Sequence, residues 1–458
     1  MTPFTYAEAH AQDFVEQLKE WLRIPSISTQ SELKPELERA AFWLRDHCLS
    51  IGLTRAEVFP TPRHPVVYAE WLGAGPNAPT VLVYGHYDVQ PVDDPYREWK
   101  SDPFEPVERE GHLYGRGATD DKGQTFIHLK AFEAHFRATG SFPVNVKFLV
   151  EGEEESGSES LPAFIQANVD LLRADVLVIS DSHIISTEQP SLVYGLRGIF
   201  TAEVEVFGPR GDLHSGSYGG TVHNPVQALV EILAQLHDAQ GRVTVPGFYD
   251  DVLPLLAEDR RALAQSPMDE ARLVKETGVP RPWGEPDYSI AERIGARPTL
   301  ELNGIVGGWI GEGSKTVIPA RALAKISCRL VPNQDPNQIF ALLQQGIAAL
   351  TPPTVRSEVR MIHAGGPAAM VPIDAKPIQA AVEAYEAVFG TRPLFLREGG
   401  SIPIVAGLQG ALDVPVVLMG FGLPDDNLHA PNEKFTLAMF HKGIQTMLHF
   451  YQRLPALL

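Results

Sequence analysis

The chain reads as an α/β protein with a mostly parallel central sheet, interrupted by an inserted α+β module. Three observations carry that reading. Short apolar runs ending on Gly, Asp or His alternate with stretches of helical spacing in 1–195 and again from 369. Between these segments the rhythm changes to longer, alternating strand patterns with cap-and-proline helix starts. The length, 458 residues, also exceeds what one compact core usually fills. The expected division is one domain made of 1–195 and 369–458, and an inserted domain over 196–368.

Taken in order, Phe14, Leu18, Trp21 and Leu22 predict a helix over 7–23. Leu37, Ala41, Leu44 and Cys48 predict another over 34–50, stopped by Gly52. Apolar runs predict strands at 66–72 and 81–84. A Pro- and Asp-rich loop follows from Gln90 to Pro106. Helices are expected at 122–137 and 159–172, with strands at 144–150 and 175–180. The run Phe200 to Phe207 alternates as a half-exposed strand should. Asn224-Pro225 and Asp335-Pro336 are cap pairs opening helices to about 238 and 350. Strands are expected at 316–331 and 354–362, and two short helices within the Pro-rich 246–300. Gly365-Gly-Pro367 is a plausible hinge. Asp374 should cap a helix to Phe389, a strand should run over 414–419, and one long helix should close the chain from Glu433 to Leu454.

The net charge of −19 argues against nucleic acid, which needs a basic face. No apolar run approaches membrane-spanning length, and the first residues lack the pattern of a signal peptide. The expectation is a cytoplasmic protein with no membrane partner. Cys48 and Cys328 are the only cysteines; far apart in sequence and in apolar-periodic surroundings, they read as buried free thiols.

The chemistry begins at Val81-Leu-Val-Tyr-Gly-His-Tyr-Asp-Val89. His86 and Asp88 alternate on an extended backbone and so share a face, at the end of a core strand where open α/β sheets place their sites. The same signature, a strand running out into an acid or a His, recurs at Asp120-Asp121, Glu153-Glu154-Glu155, Asp181 and His429. Each has a plain reading alone. A His after a strand can be a loop residue, Asp120-Asp121 can cap the next helix, and a Glu run can be a solvated face. Jointly they differ, because Glu153 to Glu155 follows an apolar strand and precedes Ser-Gly-Ser, and adjacent carboxylates repel unless a cation offsets them. Two imidazoles with several carboxylates are a donor set for two divalent metal ions, Zn²⁺ or Mn²⁺, with Co²⁺ also suitable. Two metals sharing a carboxylate suit hydrolysis of an amide or ester.

Gly85-His-Tyr-Asp-Val-Gln90, Gly115-Arg-Gly-Ala-Thr-Asp-Asp-Lys-Gly123, Glu151-Gly-Glu-Glu-Glu-Ser-Gly-Ser158 and His429-Ala-Pro-Asn-Glu-Lys434 together resemble the two-zinc metallopeptidases of clan MH. That resemblance implies a zinc-exopeptidase-like catalytic domain with an inserted lid and dimerisation domain, and a homodimer formed through the insert. It implies that Asp120 bridges the metals, with His86 and Asp181 completing one set and Glu155 and His429 the other. Glu154 is then the general base, Asp88 fixes the His86 ring, and the Asp120–Asp121 peptide is cis. His214, in Asp212-Leu-His-Ser-Gly, is implied to reach the partner subunit's site and stabilise the oxyanion there. Arg329, in Arg-Leu-Val-Pro-Asn, is implied to bind a substrate carboxylate, with Gly400 and Ser401 forming a second anion cradle.

The motif combination is most similar to the cytosolic nonspecific dipeptidase and carnosinase branch, which implies a small peptide substrate with a free C-terminal carboxylate. The chain departs from that branch at Ala430-Pro431 and at Glu153, both beside implied ligands. N-acyl-amino-acid deacylase or desuccinylase activity is the alternative within the family. A catalytically silent metal- or peptide-binding protein would lack the base or a ligand, and none is missing.

Overall fold

The computed structural model describes residues 1–92, 97–400 and 403–458, the Pro403 side chain excepted. The chain divides into two compact units. One comprises Met1–Tyr194, Val371–Leu396 and Gly407–Leu458, and the other Gly195–Met370 with Arg397–Ala406. The sequence division places 397–406 with the flanking segments; the structure groups them with the insert. There Arg397 pairs with Asp259, and its backbone lies against Gly295, where a Cβ would meet the Arg397 carbonyl oxygen at 2.7 Å.

The first unit is built on a sheet whose strand order is Arg55–Phe59, Val66–Trp71, Asn145–Glu151, Thr80–His86, Val176–Ile179, Val416–Leu418, Ser191–Leu196. The four strands from Asn145–Glu151 to Val416–Leu418 pair in parallel, and the flanking pairs are antiparallel. The central strands are buried along almost their whole length, as parallel strands covered on both faces must be. The carboxyl ends of Thr80–His86, Asn145–Glu151 and Val176–Ile179 therefore lie side by side, with His86 in register with Glu151. That register fixes where the site forms.

Several elements differ from expectation. The first helix is two, Pro3–Ala9 and Ala11–Leu22, broken at His10, whose φ of −109° leaves the helical range. The closing helix begins at Leu437, because Lys434–Thr436 pairs as a strand with His112–Tyr114. Asp374 caps nothing; the helix Lys376–Phe389 starts from Ala375 without a side-chain cap. The strands Arg55–Phe59, Val107–Arg109, His112–Tyr114 and Leu394–Glu398 were not anticipated. Both thiols are free and buried.

The second unit carries an antiparallel sheet in the order Thr299–Gly307, Arg321–Leu330, Gly198–Phe207, Arg356–Gly366. Its inward residues, among them Phe200, Val204, Leu300, Ile326 and Cys328, form one core with Leu229, Ile232, Leu343 and Ile347 of the helices Pro225–Leu233 and Pro336–Leu350. Both helices are capped as their sequences predict, by Asn224 on the Val226 amide at 2.9 Å and Asp335 on the Gln338 amide at 2.9 Å. The strand Thr299–Gly307, missed from sequence, is an edge of this sheet. Among the described residues, no helix is long and apolar enough to cross a membrane.

Candidate metal centre

His86 is the last residue of its strand and is fully buried. Gly85 before it lets the next layer approach: a Cβ there would meet Thr125 Oγ1 at 1.9 Å and Asp121 Oδ2 at 2.8 Å. Asp121 uses that space, accepting from Thr125 Oγ1 at 2.7 Å and from the His86 amide at 3.3 Å. The Asp120–Asp121 peptide is cis. Asp120 Oδ1 lies 3.1 Å from His86 Nε2, and Asp120 Oδ2 lies 2.9 Å from His429 Nε2. His429 itself holds a left-handed φ of 58° and reaches Glu155 Oε2 at 3.3 Å.

Two clusters result, and they share a member. His86, Asp120 and Asp181 bring ligand atoms within 4.8 Å of one another, and so do Asp120, Glu155 and His429. His86 Nε2 is buried and makes no well-aligned hydrogen bond, although Asp120 Oδ1 is 3.1 Å and Asp181 Oδ2 3.9 Å away. An imidazole nitrogen enclosed by carboxylate oxygens and hydrogen-bonded to none of them suits a cation between them. With two imidazoles and three carboxylates, the residues present fit two divalent ions sharing Asp120.

The electrostatics agree. Burial alone would lower the His86 imidazole, yet Asp120 and Asp88, with Glu154 and Asp181 behind them, raise it well above its usual value. Burial and the nearby Asp120 push Asp181 up to about 6 and Glu155 up to about 10. Glu154 is also raised, by burial first and then by Asp181 and Asp120. Asp120 goes the other way: burial opposes its charge, but the two imidazoles hold it below the usual carboxylate range. So many carboxylates packed together are stable as anions only beside positive charge.

Asp88 is fully buried and does more than face an imidazole. Its Oδ1 accepts from the Glu154 amide at 3.2 Å and its Oδ2 from the Glu155 amide at 3.0 Å. The His86 ring is held by the Asp88 main chain, Nδ1 lying 3.1 Å from the carbonyl oxygen and 3.4 Å from Oδ1. Glu153 points elsewhere: its Oε1 accepts from the His64 amide at 2.9 Å and Thr61 Oγ1 at 3.1 Å, and its Oε2 from the Ser160 amide at 2.9 Å. Of the three glutamates, only Glu154 and Glu155 remain for the centre.

Sequence reasoning missed Gln90, whose Nε2 donates to Glu155 Oε2 at 2.7 Å. The signal was present: His86, Asp88 and Gln90 alternate. His214, Arg329 and Gly400 belong to the second unit. His214 is exposed and caps a short turn, Nδ1 accepting from the Gly216 amide at 3.0 Å. Arg329 is half-buried on the sheet face opposite the core, while its neighbours Cys328 and Leu330 are inside it. It lines a cavity of about 420 Å³ with Arg197, His237, Asn303 and Ser327. Gly400 is exposed, and Ser401 lies outside the described residues.

Residues 82–453 match Peptidase family M20/M25/M40. A Cys-Gly metallodipeptidase of Candida albicans is 34% identical over 462 residues, covering 96% of this chain and 94% of that protein. A Beta-Ala-His dipeptidase of Homo sapiens is 34% identical over 470 residues, covering 99% and 92%. Among solved structures, an M20 family metallo-carboxypeptidase of Sulfolobus solfataricus superposes with a TM-score of 0.87 at 34% identity, covering 97% of this chain and 99% of that one.

Proposed function

The chain belongs to Peptidase family M20/M25/M40, and from that premise we propose that it is a metal-dependent dipeptidase acting on small peptides with a free C-terminal carboxylate. The observation that carries the proposal is the pair of donor clusters sharing Asp120, in a chain similar along its whole length to dipeptidases. His86 and Asp181 would hold one ion and Glu155 and His429 the other, with Asp120 common to both. When bound, two such ions lower the pKa of a water and polarise the scissile carbonyl. Zn²⁺ and Mn²⁺ both suit this donor set, and Co²⁺ is compatible with it.

Glu154 is the general base. It takes a proton from the attacking water on its carboxylate and returns that proton to the leaving amine nitrogen. Asp88 holds the turn that carries Glu154, accepting from its amide at 3.2 Å. Arg329, with Gly400 and Ser401, receives the substrate's carboxylate; a half-buried guanidinium beside a cavity supports that role. His214 stabilises the oxyanion in the partner subunit's site, so the active form is a homodimer through the inserted domain. The exposed apolar side chains Leu302, Ile305 and Val306 on the edge strand of that unit, with Trp309 and Ile310 just beyond it, support an interface there. Two unpaired buried cysteines suit the reducing cytoplasm proposed for it.

The test is a substrate panel run on chelator-treated protein with and without added Zn²⁺ or Mn²⁺. Metal-dependent cleavage of dipeptides such as Cys-Gly or β-Ala-His is the expected result. Cleavage confined to N-acyl or N-succinyl amino acids would replace this reading with the deacylase one, and metal-independent turnover would overturn both.

A further inference from the structure

Glu433 has no role in the reaction described above, yet its carboxylate is completely buried. Four donors from one short turn converge on it. Its Oε2 accepts from Arg116 Nη1 at 2.8 Å and from the Gly117 amide at 3.0 Å. Its Oε1 accepts from the amides of Thr119 at 3.1 Å and Asp120 at 3.2 Å. A buried carboxylate is costly unless charge and hydrogen bonds compensate it, and here one guanidinium and three amides do so.

The far end of the same turn is Asp120, whose two oxygens diverge, one toward His86 and one toward His429. A carboxylate can face two partners at once only if its main chain is held at one place and angle. Other bonds keep the turn where it is: Thr119 Oγ1 donates to the Lys434 carbonyl at 2.7 Å and to Asp426 Oδ2 at 3.2 Å, and Arg116 Nη2 to the Pro91 carbonyl at 3.3 Å. Among the described residues, Glu433 is the one side chain that takes the Asp120 amide itself. It also sits on the loop that supplies His429, with left-handed φ values of 58° at His429 and 61° at Asn432. One loop thus brings a ligand of one cluster and the anchor of the ligand common to both.

Resting on the two-cation reading above, we infer that Glu433 is a positioning residue that sets the shared carboxylate of Asp120 through the 116–120 turn, and so governs both cation sites together. Glu433→Gln tests this at constant volume. One head-group oxygen becomes an amino group, so on one side donors face donors. The metal-stripped full-length protein is titrated with Mn²⁺ by calorimetry, beside wild type, Asp120→Asn and Glu155→Gln. The expected result is that Glu433→Gln weakens both binding steps, each by about ten- to a hundredfold, whereas Glu155→Gln weakens one. Binding constants indistinguishable from wild type, or weakening of a single step, would overturn the inference.

A purely structural role would lower the metal-free melting temperature and leave both constants alone, which circular dichroism melts reveal and which also overturns it. If Glu433→Gln does not fold, Arg116→Met takes its place: it removes one of the donors and is expected to weaken both steps by a smaller factor, and unchanged constants count against the inference. If Asp120→Asn leaves both steps intact, the shared-carboxylate reading fails and the clamp falls with it. Loss of both steps in Asp120→Asn but not in Glu433→Gln removes the clamp alone.

Discussion

Asp88→Asn is the substitution whose consequence can be worked most fully from the geometry. The native carboxylate gives one oxygen to the Glu154 amide at 3.2 Å and the other to the Glu155 amide at 3.0 Å. Asparagine offers one oxygen, so whichever way it turns, an amino group meets one of those part-buried N–H groups. Losing a hydrogen bond to a charged acceptor costs about 1.5–3 kcal/mol, and making the surviving one neutral costs roughly 0.5–1 more. The expected loss is therefore about 2–4 kcal/mol of stability, read by equilibrium urea unfolding of the metal-free protein. Turnover should fall further than metal affinity does. The His86 ring is held chiefly by the Asp88 main-chain carbonyl, which the substitution keeps, whereas the turn carrying Glu154 is released. A displacement of the base by about 1 Å is enough for a loss near 100-fold in kcat. A variant with wild-type urea midpoint and kcat would refute the assignment of Asp88 to that turn. A variant that lost metal while keeping turnover at saturating metal would show that the ring, not the turn, depends on the carboxylate.

Three further outcomes are expected. Glu154→Gln should lower kcat by about 10²–10⁴ while bound metal, measured by elemental analysis, stays at the wild-type amount. Arg329→Ala should raise KM for dipeptides through loss of about 1.5–3 kcal/mol of charged hydrogen bonding, with kcat less affected; an unchanged KM in steady-state kinetics would reject its carboxylate role. His128 should make the protein acid-sensitive, because burial pushes its imidazole from the usual 6.5 down to about 3. The unfolded chain then binds a proton below 6.5 that the folded one refuses until about 3, so stability falls with pH across that window, by about 1.4 kcal/mol per pH unit. His128→Gln should remove this slope in urea titrations between pH 6 and 4, and an unaltered slope would refute it.

Much of the centre was legible because costly residues stood where strands end. His86, Asp120, Glu155, Asp181 and His429 are scattered along the sequence, yet four neighbouring parallel strands and the loops between elements gather them into two trios that share Asp120, each with its ligand atoms within 4.8 Å of one another. Periodicity found those strands because they are apolar on both faces and cannot be mistaken for surface. It failed at Arg55–Phe59 and Thr299–Gly307, edge strands with exposed or half-exposed positions along most of their length, where burial does not stamp a pattern on the residues. It also carried the closing helix back to Glu433, because Lys434–Thr436 owes its strand form to pairing with His112–Tyr114, a contact that no local window contains.

What sequence could not supply was the partner of each buried charge. Three consecutive glutamates look alike as letters, but Glu153 is occupied by Thr61, His64 and Ser160, while Asp88 accepts from the backbone amides of the next two. The same asymmetry separates Asp120 from Asp121: one carboxylate lies between two imidazoles, and the other satisfies Thr125 and the His86 amide. A buried acid must find donors or a cation. Which of these it finds is decided by the fold, through neighbours as near in sequence as Thr125 is to Asp121 and as distant as His429 is from Asp120. With Glu153 and Asp121 taken up by protein donors, it is Asp120, Glu155 and Asp181 that lie beside the two imidazoles, in two clusters that could hold metal ions.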